Sequence, residues 1–278
     1  EVPLRRYNKI CYHIDNEYPR STYFSFISIA SHHAYLPPHR HMPSPRFLTA
    51  LPVFNEVQYV NEVLDLVKQY SDDILVVDDG STDGTTEQLQ GRDDVRIVTH
   101  PENQGYGAAL RTAFEYALEH DFEIIVTIDC DGQHEPQRIP EFVAACTKSV
   151  DIVSGSRYLT QFPDDTPPPE QRRAINQTVS AELSRRLNIK LTDAFCGFKA
   201  YRTTSLEKLT PTENGYAMPL ELWVQAAQAN LNIIELPVPL IYLDEARSFG
   251  GVLDDAATRL EYYHLVLDRS IAKCEMFA

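Results

Sequence analysis

The chain has 278 residues, of which 43% are apolar and 23% are charged, as is usual for a soluble globular protein with a substantial core. Its formal net charge of −15 argues against a nucleic-acid-binding protein and against simple electrostatic adhesion to anionic lipid. No apolar run approaches the roughly 18 residues of a membrane-spanning helix, and the N-terminal segment lacks the apolar core of a secretory signal. Five cysteines without a Cys-x-x-Cys pair indicate free thiols in a reducing compartment, so we expect a cytoplasmic protein.

Residues 1–45 differ in composition from the rest of the chain. They hold five of the nine histidines and six of the 18 prolines, and they show no long periodic element. The four histidines between residues 32 and 41 could bind a metal ion, but a Pro-rich segment of this kind is more often irregular. We therefore expect an irregular N-terminal extension, and a chain that begins at Met42 should stay soluble and keep its ligand binding.

From Arg46 onward, strand and helix patterns alternate. Apolar and β-branched runs predict strands at residues 47–54, 73–79, 95–100, 124–128, 151–157 and 231–238. Helical patterns occur at residues 60–67, 82–89, 110–118, 136–147, 172–187, 219–229 and 253–274. Such alternation is typical of a mostly parallel sheet that is covered by helices on both faces. We expect one α/β domain over residues 46–278, because no convincing linker divides them.

Two carboxylates follow the fourth predicted strand. The run from Ile124 to Ile128 ends on Asp129 and Asp131, and Gly132 comes next. Side chains alternate along a strand end, so both carboxylates point to the same side. Two carboxylates repel each other unless a cation lies between them and an anionic ligand, and Mg²⁺ typically joins one or two carboxylates to substrate phosphates. A solvated turn after a core strand is the alternative explanation of so short a motif.

The other strand ends are also polar and contain glycine or proline. In open α/β sheets, ligands bind beyond the carboxyl ends of the strands. The segments at these ends are Ala50–Glu56, Val76–Gly84, Asn103–Arg111, Asp129–His134 and Gly155–Tyr158. Gly105 and Gly107 do not complete a dinucleotide-binding fingerprint, because the third glycine is absent and the spacing differs. A purely structural sheet would not need this composition, so we expect a ligand site at this edge.

Together and in this order, the segments resemble glycosyltransferase family 2 with its GT-A fold, and most of all its dolichol-phosphate (polyprenyl-phosphate) mannosyltransferase group. The likeness spans about residues 46–255. It depends on Asp-Asp-Gly-Ser-Thr-Asp-Gly-Thr at 78–85, Asp-Cys-Asp-Gly-Gln-His at 129–134 and Gly-Phe-Lys-Ala-Tyr-Arg at 197–202. The resemblance implies a GT-A domain that moves a hexose, with inversion and a divalent metal ion, from a nucleotide sugar of the GDP-mannose or UDP-glucose type.

The resemblance also implies roles for individual residues. Mg²⁺ or Mn²⁺ would be held by Asp129, Asp131 and Gln133, with Asp131 also catalytic. The donor would be bound by Pro52, Phe54, Glu56, Val77, Asp79, Asp129, Cys130, Arg157 and Arg247. Structural alternatives exist for several of them. Asp79, Asn55 or Glu56 could cap a helix, Gln133 could be a turn residue, Arg157 could form a surface ion pair, and Cys130 has no catalytic role.

Two positions depart from the pattern of the resembling group. Phe54 stands where tyrosine is usual, so one hydroxyl contact is lost. Arg247 and Gly250 resemble a flexible loop that covers the donor, but Leu253 stands where the group has a lysine six residues after that arginine. One cation that would bind the diphosphate is therefore missing or is supplied elsewhere in the chain.

The acceptor is the least defined partner. A hydroxyl acceptor, such as a saccharide, needs a general base, for which Asp193 is the first candidate and Glu221 the second. A polyprenyl phosphate arrives ionised, so Arg172, Arg173 and Lys199 would then matter more, and Asp193→Asn should cost less than about tenfold in rate. We favour the polyprenyl phosphate, reached peripherally at the inner membrane face or through a membrane partner. A catalytically inactive nucleotide-sugar-binding protein is the alternative from another class.

Overall fold

The computed structural model describes residues 45–166, 168–243 and 251–275. Its sheet contains β1 (Phe47–Val53), β2 (Ile74–Asp78), β3 (Arg96–Thr99), β4 (Ile124–Thr127), β5 (Ile152–Ser156), β6 (Lys199–Arg202) and β7 (Ile233–Pro237). The helices are α1 (Val60–Val67), α2 (Thr85–Gln90), α3 (Tyr106–Glu119), α4 (Ile139–Ala145), α5 (Glu170–Leu187), α6 (Thr203–Leu206), α7 (Met218–Gln228) and α8 (Ala256–Glu275). Short 3₁₀ turns occur at Pro136–Arg138 and Gly251–Asp254.

The seven strands form one sheet in the order β3-β2-β1-β4-β6-β5-β7. Every neighbouring pair is parallel except the two that involve β6, which runs antiparallel to both β4 and β5. Strands β2, β4 and β5 are buried along their whole length, as expected for strands that are covered on both faces. The predicted α/β class with a mostly parallel sheet is therefore confirmed.

Helices cover both faces of the sheet and bury one apolar cluster on each. One cluster joins β-strand residues to α3, α5, α7 and α8, and it contains the fully buried Trp223, whose Nε1 donates to the carbonyl oxygen of Ala194 at 3.0 Å. The other joins the sheet to α1 and α4. The stripe predicted for α1, Val60, Val63, Leu64 and Val67, is buried in this second cluster. These two layers hold the strand ends in fixed positions.

Several elements differ from the sequence-based prediction, including α6, which was not predicted, and α3, which begins at Tyr106. β6 was not predicted, because four residues at the end of a polar and aromatic stretch are too few to show the alternation of a strand. The helix predicted at 136–147 begins as a 3₁₀ turn and becomes α4 only at Ile139, with Pro140 in its first turn, where the missing N–H costs little. The helix predicted from Leu253 begins at Ala256, after the second 3₁₀ turn.

Several predictions lie outside the described residues. They include the N-terminal extension up to residue 44, the possible metal-binding histidines within it, and the loop that carries Arg247. Within the described parts of the chain, none of the helices has both the length and the apolar character needed to span a membrane.

Candidate active site

The carboxyl ends of β1, β2, β4 and β5 border a cleft of about 600 Å³. Further walls come from α3, α5, α7 and α8 and from residues 240–242. Most of the site residues predicted from the sequence line it, namely Pro52, Phe54, Glu56, Asp79, Asp129, Cys130, Asp131, Gln133 and Arg157. The rule that ligands bind at this edge of an open α/β sheet therefore located the cleft.

Two predicted residues are not brought to this cleft. Val77 is fully buried in the apolar core, where β2 packs against its neighbours. Asp193 is also fully buried, but it lies behind the cleft wall and contacts Arg157. The predicted role of Arg247 falls on residues that the structure does not describe.

Asp129 is held by two aromatic side chains that both line the cleft. Tyr106 donates from its hydroxyl to Oδ1 at 3.1 Å, and Nε2 of His134 lies 3.3 Å from Oδ2. Burial alone would raise the pKa of Asp129, but the hydrogen bond and charge of His134 and the hydrogen bond of Tyr106 outweigh burial, so that the pKa lies below its ordinary value. Asp129 is therefore a carboxylate at neutral pH and can serve as a metal ligand.

Gly197 packs directly against the carboxylate of Asp129. A Cβ atom at position 197 would overlap that carboxylate. The hydroxyl of Thr127 donates to the carbonyl oxygen of Gly197 at 2.8 Å, which fixes this close approach at the start of the antiparallel β4–β6 pair. Glycine at 197 thus gives the carboxylate the room that it occupies.

Asp131 lies on a tight turn beside Asp129. The backbone N–H of Gln133 donates to its Oδ1 at 3.0 Å, and Gly132 between them has a positive φ of 73°, which glycine adopts without strain. Among the residues that the structure describes, no group of three His, Cys, Asp or Glu side chains is arranged as a complete metal site. Two carboxylates at a cleft edge nevertheless fit Mg²⁺ or Mn²⁺ if ligand phosphates supply further oxygens.

Asp79 organises the loop that follows β3. Its Oδ1 lies 2.6 Å from Nδ1 of His100 and accepts from the N–H of Gln104 at 2.9 Å, while its Oδ2 accepts from the N–H of Gly105 at 2.8 Å. Thr112 continues the network at 2.9 Å from Nε2 of His100. Asp79 therefore faces the cleft from a fixed position rather than capping the helix that follows it.

Three polar side chains near the start of α2 make hydrogen bonds that fix the turn leading into this helix. Asp83 accepts from the N–H of Thr85 at 3.0 Å, and Asp78 accepts from the hydroxyl of Thr86 at 2.6 Å. Asn55 has a positive φ of 57° and accepts from the N–H of Thr82 at 2.8 Å. These bonds tie the ends of β1 and β2 together and leave Asp79 for the cleft.

Arg157 and Asp193 form a two-point ion pair in the cleft wall. Nε of Arg157 lies 2.6 Å from Oδ2 of Asp193, and Nη2 lies 2.9 Å from Oδ1. Nδ2 of Asn176 donates to Oδ1 as well, at 2.8 Å. Burial raises the pKa of Asp193, but the charge and hydrogen bonds of Arg157 outweigh it and hold that pKa at about 2. Asp193 thus positions Arg157, which lines the cleft.

The other acceptor-side candidates occupy different environments. Arg172 lines the cleft, whereas Arg173 is exposed on α5. Lys199 is buried, donates to the carbonyl oxygen of Cys196, and has its pKa lowered by burial. Glu221 is buried too and accepts from the N–H of Thr212 at 2.7 Å. Of these four residues, Arg172 alone lines the cleft.

Sequence reasoning missed several residues of the cleft. Tyr106 and His134 had no predicted role, although His134 ends the acidic motif and Tyr106 follows the glycine-containing segment. Arg259 and Tyr263 on α8 also line the cleft. Their spacing of four residues places them on one side of the helix, but which side meets the cleft depends on how α8 packs.

Comparison with known proteins agrees with this geometry. The profile described as Glycosyl transferase family 2 matches residues 49–210, more than half of the chain. The chain therefore belongs to glycosyltransferase family 2, and the family predicted from its motifs is confirmed. It is a glycosyltransferase.

The relatives agree with this family, and a solved structure agrees with the fold. The chain is 28% identical to an undecaprenyl-phosphate mannosyltransferase of Micrococcus luteus, over 79% of this chain and 94% of that one. It is 31% identical to a dolichyl-phosphate hexose transferase of Haloferax volcanii, over 67% of this chain and 78% of that one. Glucosyl-3-phosphoglycerate synthase from Mycobacterium tuberculosis, solved with Mn²⁺, UDP and glucosyl-3-phosphoglycerate, superposes with a TM-score of 0.63 at 18% identity, over 82% and 80% of the two chains. This similarity confirms the GT-A fold.

Proposed function

We propose that this glycosyltransferase moves a hexose, with inversion, from a nucleotide sugar to a polyprenyl phosphate. The observation that carries the proposal is the division of charge within one cleft. The acidic pair Asp129 and Asp131 lies at one strand end, while Arg157 and Arg172 line the same cavity. Relatives that are named for undecaprenyl-phosphate and dolichyl-phosphate transfer support this acceptor class.

The donor side is assigned to the acidic pair and the β1 and β2 ends. Asp129, kept in place by Tyr106 and His134, and Asp131 would hold Mg²⁺ or Mn²⁺, with Gln133 as a further ligand. A bound divalent cation would neutralise the charge that develops on the departing diphosphate. A group of positioned carboxylates of this kind suits a negatively charged leaving group only in the presence of such a cation.

Recognition of the nucleoside is assigned to Asp79 and the residues around it. Its carboxylate is fixed by His100, Gln104 and Gly105, so it can accept a further N–H or O–H without reorganisation. Phe54 is 40% exposed at the cleft edge, where an aromatic ring can stack on a base. Pro52 and Glu56 complete this end of the cleft.

The ion pair and low pKa of Asp193, the first candidate for a general base, favour a phosphate acceptor. Asp193 directs both carboxylate oxygens to Arg157, and a carboxylate with a pKa of about 2 is a poor proton acceptor at neutral pH. A phosphate nucleophile is already ionised and needs cations to hold it. Arg157, braced by Asp193, and Arg172 can supply them. We propose residues 46–278 as the catalytic unit, acting in the cytoplasm at the inner membrane face.

The metal requirement can be tested by calorimetry with UDP and GDP, with and without Mn²⁺ or Mg²⁺. We expect chelation to weaken binding of the preferred nucleotide by at least about tenfold, because the carboxylates would otherwise repel the diphosphate. Asp131→Asn should abolish both transfer and the metal-dependent gain with an unchanged circular dichroism spectrum. Asp72→Asn, at an exposed carboxylate, is the matched control. Equal affinity with and without metal in the wild-type protein would refute the metal assignment.

A further inference from the structure

The cleft wall that α5 and α8 form carries a buried arginine. Arg259 lies in the first turn of α8, is only 4% exposed, and lines the cleft. On the facing helix α5, Arg172 lines the same cleft, with its guanidinium carbon 5.5 Å from the centre of the Tyr242 ring. Two guanidinium groups thus enter one cavity in a chain whose net charge is −15.

Arg259 is fixed by the turn that precedes its helix. Its Nη1 donates to the carbonyl oxygen of Leu253 at 2.6 Å and lies 3.4 Å from that of Asp254. The guanidinium is therefore held next to Leu253, the position where the group that this sequence resembles has a lysine. A positive charge is present beside position 253, although the residue there is leucine.

Tyr263 lies one helical turn after Arg259 on α8. It is 4% exposed, lines the cleft, and stacks on Phe195 with ring centres 4.8 Å apart. Burial raises the pKa of Tyr263 to about 12, while the charges of Arg259 and Arg172 oppose that rise. Both arginines therefore lie close enough to Tyr263 for their charges to act on its hydroxyl.

The planar donors of a guanidinium match two phosphate oxygens at once, which a hydroxyl or a carbonyl cannot exploit as fully. We propose that Arg259 is a phosphate-binding residue of the cleft and acts together with Arg172 on a phosphate group of a bound substrate. The inference rests on the proposed function, which supplies two such groups, the diphosphate of the donor and the phosphate of the acceptor.

The test compares Arg259→Gln, Arg259→Lys and the wild-type protein. Calorimetry with UDP and GDP in the presence of Mn²⁺ measures the donor diphosphate, and the KM for a polyprenyl phosphate measures the acceptor. Arg259→Gln should weaken one of these by at least about tenfold, the usual effect of losing a hydrogen bond between charged groups. Arg259→Lys keeps the charge but loses the paired donors, so it should show a smaller loss of about threefold or more. Arg269→Gln, on the exposed side of the same helix, should change neither.

The affected ligand identifies the phosphate. A loss confined to nucleotide affinity assigns Arg259 to the donor diphosphate, and a loss confined to the acceptor KM assigns it to the acceptor. Changes below about twofold in both for Arg259→Gln would overturn the inference while leaving the proposed function intact. If Arg259→Gln does not fold, changes below about twofold in both measurements for Arg259→Lys would overturn the inference instead. If the wild-type protein binds neither UDP nor GDP and transfers nothing, the proposed function fails, and this inference fails with it.

Discussion

Asp129 illustrates how a site residue depends on neighbours that are distant in sequence. Its position requires the hydroxyl of Tyr106, the ring of His134 and the absence of a side chain at Gly197. The sequence could predict that Asp129 and Asp131 share a strand end, because that follows from local alternation. It could not predict Tyr106 or Gly197, because their contacts arise when α3 and β6 pack against β4.

Gly197 gives a direct test of this crowding. Gly197→Ala would place a methyl group on the carboxylate of Asp129. We expect the metal-dependent part of nucleotide binding to weaken by at least about tenfold, while circular dichroism remains that of the wild-type protein. Gly91→Ala is the matched control, because a methyl group there meets only ordinary contacts. Calorimetry that finds equal affinity in Gly197→Ala and wild type would contradict the role given to Asp129.

The ion pair of Asp193 with Arg157 should make a pH-dependent contribution to the stability of the fold. Its pKa of about 2 in the folded protein lies below the ordinary 3.8, so its ion pair with Arg157 stabilises the fold above about pH 4. That contribution is lost as the pH falls from about 4 towards 2. Asp193→Asn should lower the free energy of unfolding at pH 7 by roughly 3–5 kcal/mol, because Arg157 then lacks its partner. Urea denaturation at several pH values measures both effects.

Between about pH 4 and 2, Asp193→Asn should lose less stability than the wild-type protein does, because the titrating group is gone. Asp72→Asn controls for the loss of one exposed carboxylate. Equal stability of wild type and Asp193→Asn at pH 7 would show that the ion pair contributes nothing. The transfer rate of Asp193→Asn is expected to fall by less than about tenfold. Part of that loss would come from a displaced Arg157 and not from a missing base, because Asp193 contacts Arg157.

At the level of elements, two segments far apart in sequence meet at the edge of the cleft. The N–H of Thr166 donates to the carbonyl oxygen of Leu240 at 2.8 Å, and the N–H of Tyr242 donates to Oγ1 of Thr166 at 2.5 Å. Leu243, at the end of this stretch, lies close to Gly132 in the acidic turn. Residues 240–243 thus cross from the α5 side of the cleft to the side of the acidic turn.

Thr166→Val tests the importance of this connection. The valine removes the hydroxyl that accepts from the N–H of Tyr242 but keeps the shape of the side chain. We expect hydrogen exchange at the Tyr242 amide to become about tenfold faster, as loss of one such bond implies. Thr160→Val, at an exposed threonine nearby, is the control. Unchanged exchange at Tyr242, measured by mass spectrometry or NMR, would mean that other contacts hold the segment.

The secondary structure was predictable where the sequence pattern is strong. The buried β-branched runs of β2 and β4 and the stripe of α1 are local signals, and all three elements formed where expected. β6 gave no such signal, because a four-residue strand becomes stable only by pairing with β4 and β5. The same limit applies to the cleft. The strand ends were predictable from topology, whereas Arg259 required knowledge of how α8 packs.

For the whole molecule, the central feature is one cleft with opposite charges on its walls. Carboxylates gather at the strand ends, and arginines enter from β5, α5 and α8, although acidic residues outnumber basic ones by 40 to 25 in the chain. An enzyme that joins an anionic donor to an anionic acceptor needs such a division, because each ligand must be neutralised separately. We therefore predict that both ligands bind in this cleft.

Mass spectrometry of reaction products tests this most directly. The protein is incubated with Mn²⁺ or Mg²⁺, a set of UDP- and GDP-hexoses, and either a polyprenyl phosphate or a saccharide acceptor. We predict a polyprenyl phosphate that has gained one hexose, formed by the wild-type protein and absent with Asp131→Asn or a chelator. A hexose found on the saccharide and not on the polyprenyl phosphate would contradict the acceptor assignment. No product from any donor, despite nucleotide binding, would contradict the catalytic role itself.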